Sequence, residues 1–394
     1  MKNRYVEKAK KSLTPIFEKI NTVLNKETFI RTGKRKITVK PFKLAICIIA
    51  IIVIISIIIS VISSFSGNKV IEIPFEIGNE YKTVSSENDV ILYNNKCVMK
   101  VTSDGKVLWN ISQPLSEPQV ESSGKFTLIY DLSGNHYAAS YKNDKKICEY
   151  KVGSDIISAK ITKSGNAVIS SDTDGYKAKA TIYNKSGKET YVWNSYSGYI
   201  TDVDITDNGR YLAVAQLVTD NKKADSKIQF IDTARGEVIG TVDKPDEAIA
   251  KVKFSSSDKL TVVTDTHISG YNKSGKQLYD ISLIGKNPSL FNVTDGDMFA
   301  VVTTDNRGNS VLELYTTSGK FKGSYTASGK IKALTVCKTN AVIAEQNGIT
   351  RVNGSGKVKK TLKPGHDVKD ICYFGNGKQI VVVGSSQAET VKVK

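Results

Sequence analysis

The stretch VTSDGKVLWN, residues 101–110, reads as two β-strands meeting at a tight turn. Ser103-Asp104-Gly105-Lys106 separates Val101-Thr102 from Val107-Leu108-Trp109. Asp-Gly between β-formers is a strong hairpin signal, because Gly takes the φ > 0 that the turn needs. Whether this unit occurs once or repeats decides the fold. It repeats. NDKK begins at 143, KSGK at 185, TARGE at 233, KSGK at 273, TSGK at 317 and GSGK at 354, at intervals of 40, 42, 48, 40, 44 and 37 residues.

Each turn follows a strand such as ATIYN (180–184) or LELYT (312–316) and precedes another such as ETYVW (189–193) or QLYDI (277–281). A third strand type lies upstream, as in GNAVISS, GRYLAVA and DKLTVVT, and a fourth before it, as in DIISAKIT, ITDVDIT and AKVKFSS. Four strands per period of roughly 40 residues is the pattern of a β-propeller, whose blades bury their faces against neighbours around an axis. Seven complete units end near residue 363, leaving DVKDICYF, QIVVVGS and ETVKVK. These are three strands without a fourth. VIEIPFEI, residues 70–77, has no turn of its own and supplies the missing one. The pattern therefore predicts an all-β, eight-bladed propeller over 70–394, closed by a split blade from the two ends. A seven-bladed ring with loose ends is the alternative.

Thr102, Gly105, Lys106 and Trp109 together resemble the repeat of pyrroloquinoline-quinone-like propellers, and TDNGRYLAVA (206–215) is similar to the strand opening of WD-repeat and TolB-like propellers. With its basic leader, apolar run and propeller, the chain resembles uncharacterised membrane-anchored propeller proteins of Gram-positive bacteria. That likeness implies a fold and carries no activity. Only two repeats have the Trp (Trp109 and Trp193), and the Gly-His and Trp-Asp pairs of true WD repeats are missing, so no quinone site is implied.

Of the net charge of +17, +10 falls in residues 1–43, with 13 Lys/Arg against 3 Glu. Leu44 to Phe65 then form 22 uncharged residues, mostly Ile, Val and Ser. A run of roughly 20 apolar residues is long enough to cross a bilayer. The expectation is a cytoplasmic segment 1–43, a transmembrane signal anchor 44–65, a linker 66–69 and an extracytoplasmic propeller, with the bases before the run holding the N-terminus inside. A cleaved signal peptide is the competing reading, but the run and its leader are longer than such peptides usually have. Thr14-Pro15 is a good helix start for a short amphipathic segment carrying Ile16, Phe17, Ile20, Val23 and Leu24. Cys47 lies in the apolar run, while Cys97, Cys148, Cys337 and Cys372 stand singly in strand patterns and read as buried free thiols, with two disulfides among these four as the alternative.

If strand 70–77 is outermost, the short linker, reaching roughly 14 Å at most, sets the turn-bearing face against lipid. Lys106, Lys145, Lys146, Lys188, Arg235, Lys276, Lys320 and Lys357 would then lie over the anionic leaflet. An ordinary solvated turn is the plain alternative. The opposite face carries the loops between second and third strands, where Asp172, Asp174, Asp220, Asp305 and Arg307 are candidate ligand-binding residues.

His136, His267 and His366 lie in different repeats without ligand spacing, and Asp172-Thr173-Asp174-Gly175 begins like a calcium loop but lacks the later ligands. No nucleophile elbow or phosphate loop occurs, and glycosylation sequons such as those at Asn110, Asn292 and Asn353 are of a frequency expected by chance. No catalytic residue, metal or cofactor is assigned, and the dispersed +7 of the remaining chain gives no support for nucleic-acid binding. The expected function is a non-enzymatic binding or scaffold module for a protein or cell-wall glycan, with the bilayer as second partner through 44–65. A hydrolase, lyase or quinone-dependent oxidoreductase at the channel, and a transmembrane signalling protein, are the alternatives.

Overall fold

The structure, a computed structural model, describes residues 71–73 and 80–394 apart from 133, 135, 220–224, 256–257, 295, 297, 306 and 347. Two compact units, Met1–Gly67 and Asn68–Lys394, divide the chain, and every described residue belongs to the second. The leader, the apolar run, the linker, Cys47, Asp220 and positions 74–77 of the opening strand thus lie outside the described residues. Among the described residues every regular element is a strand, and no helix is long and apolar enough to cross a membrane.

The strands form eight four-stranded antiparallel sheets. Blades 1 to 7 occupy residues 82–112, 118–149, 156–195, 199–244, 249–282, 288–326 and 333–362. Blade 8 takes Asp370–Tyr373, Gln379–Val383 and Ala388–Lys392 from one end and Ile71–Ile73 from the other, with Ile71 opposite Thr390 and Ile73 opposite Ala388. Eight blades, closed by a split blade, is the observed arrangement. The first strands of neighbouring blades pack against one another and so surround the axis.

Local chemistry explains the repeat. Gly105 sits at φ 80°, Thr102 N–H donates to Lys106 O (2.9 Å), and the register shifts one residue between Lys100 and Val101. This is a turn with a bulge, which twists the outer strand away from the next sheet. The turn of blade 2 has no Gly, and Asn143 supplies the positive φ at 57°.

Middle strands are covered on both faces, so they read as continuous buried runs, as in Ala167–Ser171 and Leu260–Thr264. Outer strands are half solvated, as in Glu237–Lys244. Eight apolar cores result, one at each interface between consecutive blades. The core between blades 8 and 1 includes Ile73 from the opening strand with Val90, Leu92, Phe374 and Val381. Cys97, Cys148, Cys337 and Cys372 are free thiols, as expected.

Because consecutive strands are antiparallel, the ring has two unlike faces. The turn face carries the first-to-second and third-to-fourth connections, including every SDGK-type turn. The loop face carries the second-to-third loops and the connections between blades.

Candidate functional site

The loop face presents an aromatic cluster at blades 3 and 4. Tyr176 closes the second-to-third loop of blade 3, Tyr196 stands in the connection to blade 4, and Tyr199 opens the first strand of that blade. Tyr176 and Tyr196 meet nearly edge to face with ring centroids 4.7 Å apart. Lys177 Nζ lies 4.9 Å from the Tyr199 centroid and donates to its hydroxyl at 3.3 Å. Backbone and buried polar groups hold the cluster out from the ring. Lys177 N–H donates to Ser195 O (2.9 Å), Gln216 Nε2 donates to Ser195 Oγ (2.5 Å), and Ser195 Oγ donates to Gly198 O. Tyr196 is left 78 % exposed, and its contact with Tyr176 raises its phenol above the ordinary value. An exposed, prearranged set of rings with a cation beside it offers stacking faces and hydrogen bonds at low entropic cost.

Asp172 and Asp174 are exposed in the same loop as Tyr176. Asp305 and Arg307 are on blade 6, so the ring separates them from the blade 3 loop. Asp305 accepts from the Arg307 and Asn309 amides (2.9 and 2.8 Å) and from Asn309 Nδ2 (3.1 Å), and these bonds hold its carboxyl below the usual range. It shapes its own turn. A second loop-face feature is a cleft of about 420 Å³ between blades 1 and 2, lined by residues including Lys82, Tyr93, Asn94 and Glu117.

Charged residues that the sequence reading had left unremarked converge near the axis, on first strands of blades 2 to 5. Lys160, with a side chain 4 % exposed, lies 2.5 Å from Glu121 Oε1 and 3.8 Å from Asp202 Oδ1. Lys251 approaches Asp202 and Lys253 approaches Asp204, each at 3.9 Å. Burial opposes ionisation of Glu121, but Lys160, Lys251 and Lys253 outweigh it and hold the carboxyl at about 2. Burial likewise disfavours the Lys160 cation, and Glu121 and Asp202 more than offset this, so its ammonium titrates well above the ordinary value. Burial raises Asp204, against Lys253, and lowers Lys251 despite Asp202. The carboxylates also stitch blades together. Asp202 Oδ2 accepts from Val252 N–H (3.0 Å), Asp204 Oδ2 from Phe254 N–H (2.6 Å), and Asp202 Oδ1 from Ser158 Oγ (2.7 Å). Beside Asp204 and Lys253 the open cavity is about 20 Å³, room for one water. The pattern had been visible: Asp202-Val203-Asp204 and Lys251-Val252-Lys253 alternate charge with apolar residues, so both charges of each pair share a face.

The three histidines sit beside carboxylates in separate parts of the ring. His136 Nε2 is 3.2 Å from Asp155, His267 Nδ1 3.3 Å from Glu247, and His366 Nε2 3.4 Å from Glu389. They do not converge on one site. On the turn face, the eight sequence-predicted cations are all exposed. Lys146 pairs with Glu149 (2.7 Å) and Arg235 with Asp232 (3.1 Å).

A family model described as "Family of unknown function (DUF5711)" matches residues 63–393. No curated protein sequence matches the chain. Among solved structures, the C-terminal WD40 domain of Sif2 is similar, with a TM-score of 0.59 at 13 % identity, covering 82 % of this chain and 99 % of that one. BamB from Moraxella catarrhalis is similar with a TM-score of 0.51 at 13 % identity, covering 82 % of this chain and 97 % of that one. At such identities the likeness is one of fold: a β-propeller.

Proposed function

We propose, for a chain that belongs to the DUF5711 family of unknown function, that it is a membrane-anchored propeller whose loop face binds a protein or cell-wall glycan without turnover. The observation that carries this reading is the exposed cluster of Tyr176, Tyr196 and Tyr199 with Lys177, standing on a closed and internally bonded ring. Asp172, Asp174 and Arg307 are accessory groups on the same face, and Asp305 orders the loop that carries Arg307. Residues 44–65 act as the anchor, with 1–43 in the cytoplasm and the propeller outside. The test is crosslinking in native membranes with the full-length chain and its Tyr196→Ser/Tyr199→Ser variant. A crosslinked product that disappears in the variant, with unchanged thermal unfolding, supports the reading. A product of equal yield in both, or turnover of a glycan or small molecule by the purified chain, overturns it.

The axial convergence of Glu121, Asp202 and Asp204 with three lysines favours a second reading, an enzyme working at the channel. Against it, Asp202 and Asp204 are engaged by backbone amides of the next blade, and the adjoining cavity has room for one water. An activity abolished by Lys160→Met with the fold intact would establish this second reading.

A further inference from the structure

Six blades carry an exposed apolar side chain within the first three residues of the outer strand, directly after the basic turn. They are Leu108, Ile147, Val238, Leu278, Phe321 and Val358, exposed by 40 to 52 %. Of the eleven large hydrophobic side chains exposed among the described residues, these are six, so the exposure is concentrated at one rim rather than scattered. Blade 3 breaks the pattern with Glu189-Thr190. All but Lys146 and Arg235 of the eight turn cations make no ion pair among the described residues.

We infer that this rim of the turn face is a seat for an anionic lipid bilayer, with the apolar side chains entering the interface and the turn cations over the headgroups. The inference rests on the proposed anchoring by residues 44–65. Three observations favour lipid as the occupant. Cations and apolar groups alternate around one edge, which suits a surface that is charged above and apolar beneath, whatever the direction of approach. Long Lys stems let the ammonium stay with the headgroups while the neighbouring Leu, Val or Phe goes deeper. The opening strand also enters the ring at this face, because Ile71–Ile73 is the outer strand of blade 8 and runs antiparallel to Ala388–Lys392. Five residues, 66–70, separate it in sequence from the end of the uncharged run at Phe65.

The test uses the full-length chain with vesicles of equimolar phosphatidylcholine and phosphatidylglycerol, and Trp as reporter. Phe321→Trp and Leu278→Trp add a ring at the rim, and Tyr196→Trp adds one on the loop face. With brominated lipids, the added emission of the two rim variants is expected to be quenched and that of Tyr196→Trp to be retained. Replacing Lys106, Lys276, Lys320 and Lys357 by Gln in the Phe321→Trp background is expected to reduce the quenching. A chain that floats with the vesicles while its rim reporters stay unquenched overturns this inference and leaves the anchor standing. A chain that floats only with anionic vesicles and is released by high salt keeps the rim and removes the anchor. One that does not float at all removes both.

Discussion

At the scale of single residues, two kinds of position carry the ring. The first is the turn glycine. Gly319 has φ 80°, and a Cβ there would stand 2.3 Å from the Tyr279 ring of the preceding blade. Its turn is thus tucked against the neighbour, and the repeated Gly serves interblade contact as well as local conformation. Gly319→Ala is expected to lower unfolding free energy by about 1–3 kcal/mol, whereas Gly365→Ala, which meets nothing within 4 Å, leaves it unchanged. Chemical denaturation of the two variants checks this. The second kind is the buried charge. Glu121 ionises at about 2 in the ring against an ordinary value of 4.5, so its contribution is complete above pH 4.5 and lost as pH falls toward 2. That contribution is on the order of 2–3 kcal/mol at neutral pH, since part of the carboxyl meets solvent. Asp204, raised by burial, works in the opposite sense and is relieved as pH falls. Glu121→Gln should therefore be least stable relative to the native chain at neutral pH, with the two converging near pH 2. A difference independent of pH would mean that Glu121 acts through packing alone.

At the scale of the element, the opening strand is the clearest case of a short segment with a large effect. Ile73 is 4 % exposed in the core between blades 8 and 1, while Glu72, on the other side of the strand, is exposed. Ile73→Ala is expected to cost about 2–5 kcal/mol and Glu72→Ala within about 0.5 kcal/mol, read by thermal and denaturant unfolding. Equal effects would mean that blade 8 closes without side-chain packing from this strand. This closure was legible in the sequence, because VIEIPFEI lacked a turn and the last unit lacked a strand. Blade count and strand order were legible for the same reason: turns with Gly at fixed offsets and buried middle strands leave strong local marks. The loop-face cluster was not. Tyr176, Tyr196 and Tyr199 come from a loop, a connection and a strand end, and only the antiparallel return of blade 3 brings the first two rings to 4.7 Å. Reading by residue type selected the carboxylates of the same loop and passed over the rings beside them.

At the scale of the whole molecule, the ring's two faces differ in the chemistry they offer, and the proposed anchoring makes a testable expectation of which way they point. Most of the basic excess precedes the uncharged run, and the proposed anchor, if helical at ~1.5 Å per residue, would span ~33 Å, close to the ~30 Å of a bilayer's hydrocarbon. Under the proposed anchoring, a leader of +10 stays on the cytoplasmic side and the propeller lies outside. Impermeant amine-reactive biotin added to intact cells should label propeller lysines such as Lys177, exposed on the loop face, and leave the leader lysines unlabelled until the membrane is permeabilised. Peptide mapping distinguishes the two sets. Labelled leader lysines with a protected propeller would reverse the orientation and make any ligand of the tyrosine cluster cytoplasmic. Labelling of Lys177 together with weak labelling of Lys106, Lys276 and Lys320 would be the expected signature of a ring standing on its turn face. Those turn lysines and Lys177 are all exposed in the isolated ring, so such a difference would come from something that covers the turn face, as a bilayer would.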